Sequence, residues 1–130
     1  MRAFYLFAFL LPYLLLQSCY QVNRDCSKFK TGVFEFEATS GTEMFTTRIE
    51  RSDSLEIEYF KDQVDTASVR WINDCEYVVK KLNPKNRAEQ KAIHIKILTT
   101  SDNAYQFEFN EVGKTTKSRA SARKITDLPQ

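Results

Sequence analysis

Few side chains in this sequence have the chemistry for catalysis or metal binding, and they stand far apart. The 130 residues hold three cysteines, Cys19, Cys26 and Cys75, and a single histidine, His94. A tetrahedral metal site needs nitrogen and sulfur ligands at close, characteristic spacing. These residues do not supply it, so no metal and no cofactor is expected. His94 is the one side chain whose unperturbed pKa lies near neutrality. No serine or cysteine motif marks a nucleophile for it to activate. It stands between Ile93 and Ile95 on the opposite strand face, which predicts a surface or partly covered histidine rather than a hydrolytic site.

Two charged groupings carry weaker signals. Glu35, Glu37, Glu56 and Glu58 alternate with apolar residues, and carboxylates on neighbouring strands can reach the ~5–9 Å separation that glycoside chemistry uses. The simpler expectation is an acidic outer face complementing nearby lysines and arginines. Lys114–Lys124 carries five cations, Lys114, Lys117, Arg119, Arg123 and Lys124, and no acid. It lacks the interleaved aromatics on which nucleic-acid bases stack, so no nucleic-acid partner is expected. Anionic membrane headgroups would attract such a run at about 1 kcal/mol per residue. A solvated strand face that repels other sheet edges accounts for it more simply. A net charge of +2 does not mark a dedicated polyanion binder.

The first eighteen residues read as an address. Met1-Arg2 is a short positive start, and Ala3–Leu16 is an almost unbroken apolar run interrupted by Pro12. At ~1.5 Å per residue it is too short for a hydrocarbon core of ~30 Å, and it fits the hydrophobic region of a secretory signal. Leu16-Gln17-Ser18-Cys19 then resembles the bacterial lipobox, with Gln17 departing slightly from the usual small residue. That resemblance implies acylation of Cys19, cleavage before it, and stable anchoring in membrane lipid through several acyl chains. Tyr20 in place of an aspartate favours the outer membrane as the destination. Ordinary signal cleavage with Cys19 left free is the alternative.

With Cys19 assigned to lipid, Cys26 and Cys75 remain as a pair. An exported compartment lets a disulfide persist, and closing a loop of about fifty residues stabilises by ~4 kcal/mol in the chain-entropy model. Two independent buried thiols are the other possibility.

The chain that positions these residues is strand-like throughout. Residues 19–31 are polar and read as a tether. From Gly32 short runs alternate with period two: Phe34 and Phe36 against Glu35 and Glu37; Phe45, Thr47 and Ile49 against Thr46, Arg48 and Glu50; Leu55, Ile57 and Tyr59 against Glu56 and Glu58. Val64–Trp71 follows, then Cys75, Tyr77 and Val79; Ile93, Ile95 and Ile97; Tyr105, Phe107 and Phe109; and a polar last strand within Lys114–Ile125. Asn83–Lys91 reads as irregular or as one short helix. Such alternation with polar breaks is the pattern of half-buried antiparallel strands. About eight strands with short connections predict an all-β, up-and-down meander: a small barrel, with a β-sandwich as second choice. The domains are then a signal peptide (1–18), a lipidated tether (19–31), one β domain (32–126) and a tail (127–130).

Gly32-Val33-Phe34-Glu35-Phe36, Val69–Tyr77 (VRWINDCEY), Leu82–Asn86 (LNPKN) and Lys96–Thr100 (KILTT) together resemble a group of small bacteroidete- and flavobacterial-type lipoproteins. The glycine-then-aromatic first strand also looks like that of a lipocalin-like barrel. The resemblance implies no catalytic residue. Some members of the group carry the name DNA topoisomerase IV. That activity needs an ATP site, an acidic magnesium cluster and a tyrosine nucleophile on a far longer chain, and the three glycines here form no phosphate loop.

An eight-stranded barrel either fills with side chains or holds one small ligand. The aromatic set Phe34, Phe36, Tyr59, Trp71, Tyr77, Tyr105, Phe107 and Phe109 favours filling. The ligand-holding alternative puts Tyr59, Trp71, Tyr77 and Tyr105 at the mouth, where an apolar body with a polar tip is useful. The expected function is that of a non-enzymatic, membrane-anchored binding or interaction module of the cell envelope, whose partner, an envelope protein or a small apolar ligand, the sequence does not name. A lipocalin-like carrier of a small apolar ligand is second, and an envelope hydrolase a distant third.

Overall fold

The computed structural model describes residues 24–40 and 42–129, so the apolar run expected to be a signal and Cys19 lie outside the described residues. One turn of 3-10 helix, Ser27–Phe29, precedes eight strands: β1 (Gly32–Ser40), β2 (Glu43–Arg51), β3 (Leu55–Phe60), β4 (Gln63–Asn73), β5 (Glu76–Lys81), β6 (Ile93–Thr100), β7 (Ala104–Glu111) and β8 (Ser118–Thr126). Each strand pairs antiparallel with the next, and β8 returns to β1, closing a barrel. Closure removes the exposed edges that an open meander would leave. The expected all-β barrel is therefore observed, and the sandwich is not.

Local sequence explains the hairpins. Cys75 N–H donates to Asn73 Oδ1 at 2.9 Å, an Asx-type turn that reverses the chain between β4 and β5. Lys61 takes a left-handed φ of 52° in the two-residue β3–β4 turn, and its ammonium lies 4.2 Å from the Phe45 ring centroid. Gly32 begins β1 at φ 138°, where a Cβ would come within 2.6 Å of Lys124 Cε and 3.0 Å of the Thr126 carbonyl oxygen. Only glycine lets the β1–β8 seam close so tightly at that backbone angle.

The two ends of the barrel differ. The β2–β3, β4–β5 and β6–β7 turns gather at one end, where the chain before β1 crosses as a plug. Phe29 is 0% exposed, and a disulfide joins Cys26 to Cys75 with Cα atoms 5.2 Å apart. Phe29 packs on Tyr105 at 5.0 Å between ring centroids, and Tyr105 on Phe34 at 5.9 Å. Cys26, Phe29, Phe34, Ile49, Ile97, Tyr105 and Ala122 form the main core there. The segment expected as a tether over 19–31 thus enters the fold at its C-terminal end. The β1–β2, β3–β4, β5–β6 and β7–β8 connections lie at the opposite end, where Phe45 and Phe60 pack at 5.8 Å between ring centroids beneath the Lys61 ammonium, and Glu89 of the β5–β6 connection approaches Lys81 at 3.7 Å.

One strand is inverted relative to its sequence reading. Leu55 is 43% exposed, while Glu56 is 7% exposed and faces inward. Glu56 pairs with Arg51 and Glu58 with Ile49 across β2–β3, so both carboxylates share the inner face with the core. A strand of period two offers two registers, and a one-residue slip exchanges its faces. Here the neighbours decide: Thr47, Ile49 and Arg51 point inward on β2, and the buried Arg51 requires an acid opposite. The expectation of an outer acidic face holds for Glu37, which is exposed, and fails for Glu56 and Glu58.

Candidate binding site

The floor of the barrel is built on Arg51. Its Nε donates to Glu56 Oε2 at 2.6 Å, one terminal nitrogen donates to the Phe29 carbonyl at 3.3 Å, and both reach Tyr105 Oη at 3.3–3.4 Å. The guanidinium also lies 4.7 Å from the ring centroids of both Phe34 and Tyr77. Burial opposes its charge, but the oxygens of Tyr105 and Tyr77 and the Glu56 carboxylate outweigh that and hold its pKa well above the usual value. Burial likewise pushes the Tyr77 phenol well up, against the opposing pull of Arg51, so it stays neutral. Each polar group of Arg51, Glu56 and Tyr105 thus finds a partner within the floor.

Above the floor the inner wall is looser. Phe36, Phe107 and Phe109 face inward by register, next to Thr47, Ala120 and Ser118 respectively, yet each is only partly buried. On their other side Phe107 pairs with Ile97 and Phe109 with Ile95, so these rings pack against the buried core while keeping part of their surface exposed. Glu58 sits among these residues, opposite Ile49 and Asp65. Burial raises its pKa, the Glu56 charge raises it further, and Lys81 works in the other direction. Lys81 Nζ itself bonds Asp65 at 2.8 Å and lies 3.7 Å from Glu89. That hydrogen bond lowers the Asp65 pKa and raises that of Lys81.

The four aromatic residues expected at the mouth are distributed otherwise. Tyr77 and Tyr105 are buried in the floor, because their strands carry them to the plugged end. Trp71 lies near that end too, 4.4 Å from Tyr77 between ring centroids, with its indole N–H buried and unpartnered. Tyr59 is on the outer wall and donates to Glu50 at 3.5 Å. By register, the inner wall away from the plug instead carries Phe36, Phe45, Phe60, Phe107, Phe109 and the inverted Glu58. Phe36, Phe45, Phe107 and Phe109 were legible as inward-facing from their alternation; Phe60 and Glu58 were not.

The outer wall accounts for the remaining candidates. His94 Nε2 lies 3.1 Å from Glu76, which Lys96 also approaches at 3.5 Å. Burial works against the Glu76 charge, and Lys96 and His94 overcome it, holding its pKa below the usual range. The basic run is largely neutralised: Lys114 pairs with Glu111, Lys117 with Glu108, Arg123 with Glu35 and Lys124 with Asp127. Among the described residues no group of three histidine, cysteine or acidic side chains is placed to hold a metal. Comparison with family models, with curated proteins and with solved structures finds no match for this chain, so its site is read from its own geometry.

Proposed function

We propose that this protein is a non-enzymatic binding barrel of the cell envelope, anchored through acylated Cys19, that holds a small, largely apolar ligand in its open half. The observation that carries the carrier reading is the gradient of burial along the inner wall. Phe29, Phe34 and Ile97 are fully buried beside the plug, whereas Phe36, Phe107 and Phe109 keep partial exposure away from it. A concave, mostly apolar wall with a few polar groups is the usual form of a small-ligand site. The Leu16–Cys19 motif and the Cys26–Cys75 disulfide support export and anchoring, since disulfides persist in oxidising compartments.

Every strand pair, the plug and the disulfide lie within residues 24–129, so a chain starting at Tyr20 retains the whole barrel. Titration of that chain with the neutral fluorophore N-phenylnaphthylamine should give saturable, blue-shifted emission, and Phe107→Trp should quench it or transfer energy to it. Emission no greater than that of an unrelated β protein would sink the carrier reading. Mass spectrometry of the membrane fraction should show acyl groups on Cys19, and an unmodified mature N-terminus would defeat the anchor.

A protein partner, one form of the interaction module expected from sequence, is favoured by one separate feature. A cleft of about 380 Å³ crosses the outer wall, lined by Arg70, Ile72, Val78, Ala92, His94 and Val112, with Ile72 52% and Val112 55% exposed. Crosslinking from intact cells that is lost in Ile72→Glu and kept in Phe107→Trp would support it.

A further inference from the structure

The inward turn of Glu56 and Glu58 has its counterpart outside the barrel. Leu55, Ile57 and Tyr59 face outward on β3, and Leu55, 43% exposed, stands opposite Ser68 of β4. Arg70 and Ile72 follow Ser68 on the same outer face. Register then carries one row across four strands, from Arg70 to Val78, from Val78 to His94 and from His94 to Asn110. The outer-wall cleft lies over this row, with Val78 and Ala92 partly buried and Ile72 and Val112 exposed.

The carboxylates flanking the row are already held. Lys96 and His94 hold Glu76, Lys117 holds Glu108, and Lys91 and Lys114 share Glu111 near Ala92 and Gly113. Arg70 lines the cleft, and Lys80 follows Val78 on the outer face of β5; both are exposed, and neither forms an ion pair among the described residues. The cleft therefore joins apolar surface to unspent positive charge. Adjacent strands lie ~4.8 Å apart, so the row spans about 14 Å, the reach of about four extended residues. An extended chain can lie along such a cleft, whereas a flat bilayer would touch only its rims.

We infer that the cleft docks an extended segment of an envelope protein in which an aspartate or glutamate lies between aliphatic residues. The carboxylate meets Arg70, and the aliphatic side chains lie against Ile72, Val78 and Ala92. This inference rests on the protein-partner reading of the cleft and adds the partner's chemistry to it. Arginine suits the task, because its planar fork offers a carboxylate two parallel hydrogen bonds. Lys80 adds attraction for the same sign of charge.

Random octapeptides displayed on phage and selected on the chain starting at Tyr20 should converge on acidic sequences flanked by Leu, Ile or Val. A fluorescein-labelled peptide from that pool should lose at least about tenfold in affinity in Arg70→Gln, the direction expected when one partner of a charge pair is removed. Ile72→Glu should weaken it as much, Arg70→Lys less, and Phe107→Trp, on the inner wall, not at all. Enriched peptides without a carboxylate, no enrichment, or binding that survives Arg70→Gln overturn the inference. So does a dimer in sedimentation equilibrium that Ile72→Glu dissolves, which assigns the cleft to a second copy. Binding to phosphatidylglycerol vesicles that depends on Arg70 overturns it too, in favour of lipid. Crosslinks in intact cells separate the two readings. If they vanish in Ile72→Glu but persist in Arg70→Gln, the protein partner stands and its acid falls; if they persist in both, both fall.

Discussion

At the scale of single residues, the inner wall is governed by one buried cation and the acids around it. Arg51 is 1% exposed, and its pair with Glu56 is closed by Tyr105 and the Phe29 carbonyl. Removing one member of such a pair leaves an uncompensated buried charge, which costs about 3–5 kcal/mol. Glu56→Ala should therefore lower stability by that order in urea unfolding. The double replacement Arg51→Met with Glu56→Leu should recover most of it, since buried pairs exchange for apolar groups at little cost. A single-variant loss under about 1 kcal/mol would show that the pair is solvated. Glu58 behaves in the opposite way. Its folded-state pKa is raised, so its ionisation opposes folding once the pH exceeds that value, and the penalty vanishes below the ordinary carboxylate pKa of about 4.3. Glu58→Gln should raise Tm at neutral pH, with the gain fading on acidification toward about pH 4. A gain that grows as pH falls would contradict the assignment.

At the scale of elements, the plug and β3 show how far local pattern reaches. The Phe29 segment is polar on either side, with Ser27, Lys28 and Lys30 around a single aromatic, and resembles a tether until Cys75 supplies its partner across the barrel. The disulfide spans a sequence separation of 49 residues, so its joint replacement, Cys26→Ser with Cys75→Ser, should cost ~4 kcal/mol on the chain-entropy estimate. The measurement is the urea midpoint at unchanged m. A shift of less than about 1 kcal/mol would mean that Phe29 holds the plug alone. Strand β3 was legible as a strand and illegible in its facing. Leu55, Ile57 and Tyr59 form as good an apolar face as any in the chain, but Arg51 on β2 requires Glu56 inward. The pairing energy of a neighbour therefore outweighed the strand's own pattern, and Glu58 turned inward with β3. The other strands, β6 with Ile93, Ile95 and Ile97 most clearly, follow their alternation because no buried charge opposes it.

At the scale of the whole molecule, closure between β1 and β8 makes the barrel one cooperative unit, and Gly32 is where that seam is tightest. Gly32→Ala forces a side chain into a left-handed φ against the Thr126 carbonyl, at a cost of about 1–3 kcal/mol. Hydrogen exchange should quicken first in β1 and β8 and leave β4–β6 protected; uniform quickening would mean that the seam is not the weak joint. Sequence by itself determined the strand content, the meander with its short turns, the apolar run ahead of Cys19 and the pool of aromatic residues, because these follow from composition and period within a few neighbouring residues. Only the tertiary structure decided that the meander closes, that one end is plugged by Phe29, and that β3 turns its glutamates inward. Those outcomes depend on pairings between residues distant in the chain, Gly32 with the β8 end, Cys26 with Cys75 and Arg51 with Glu56 among them. A one-residue change of register reverses a strand's faces without altering its pattern, so no reading along the chain could have chosen between them.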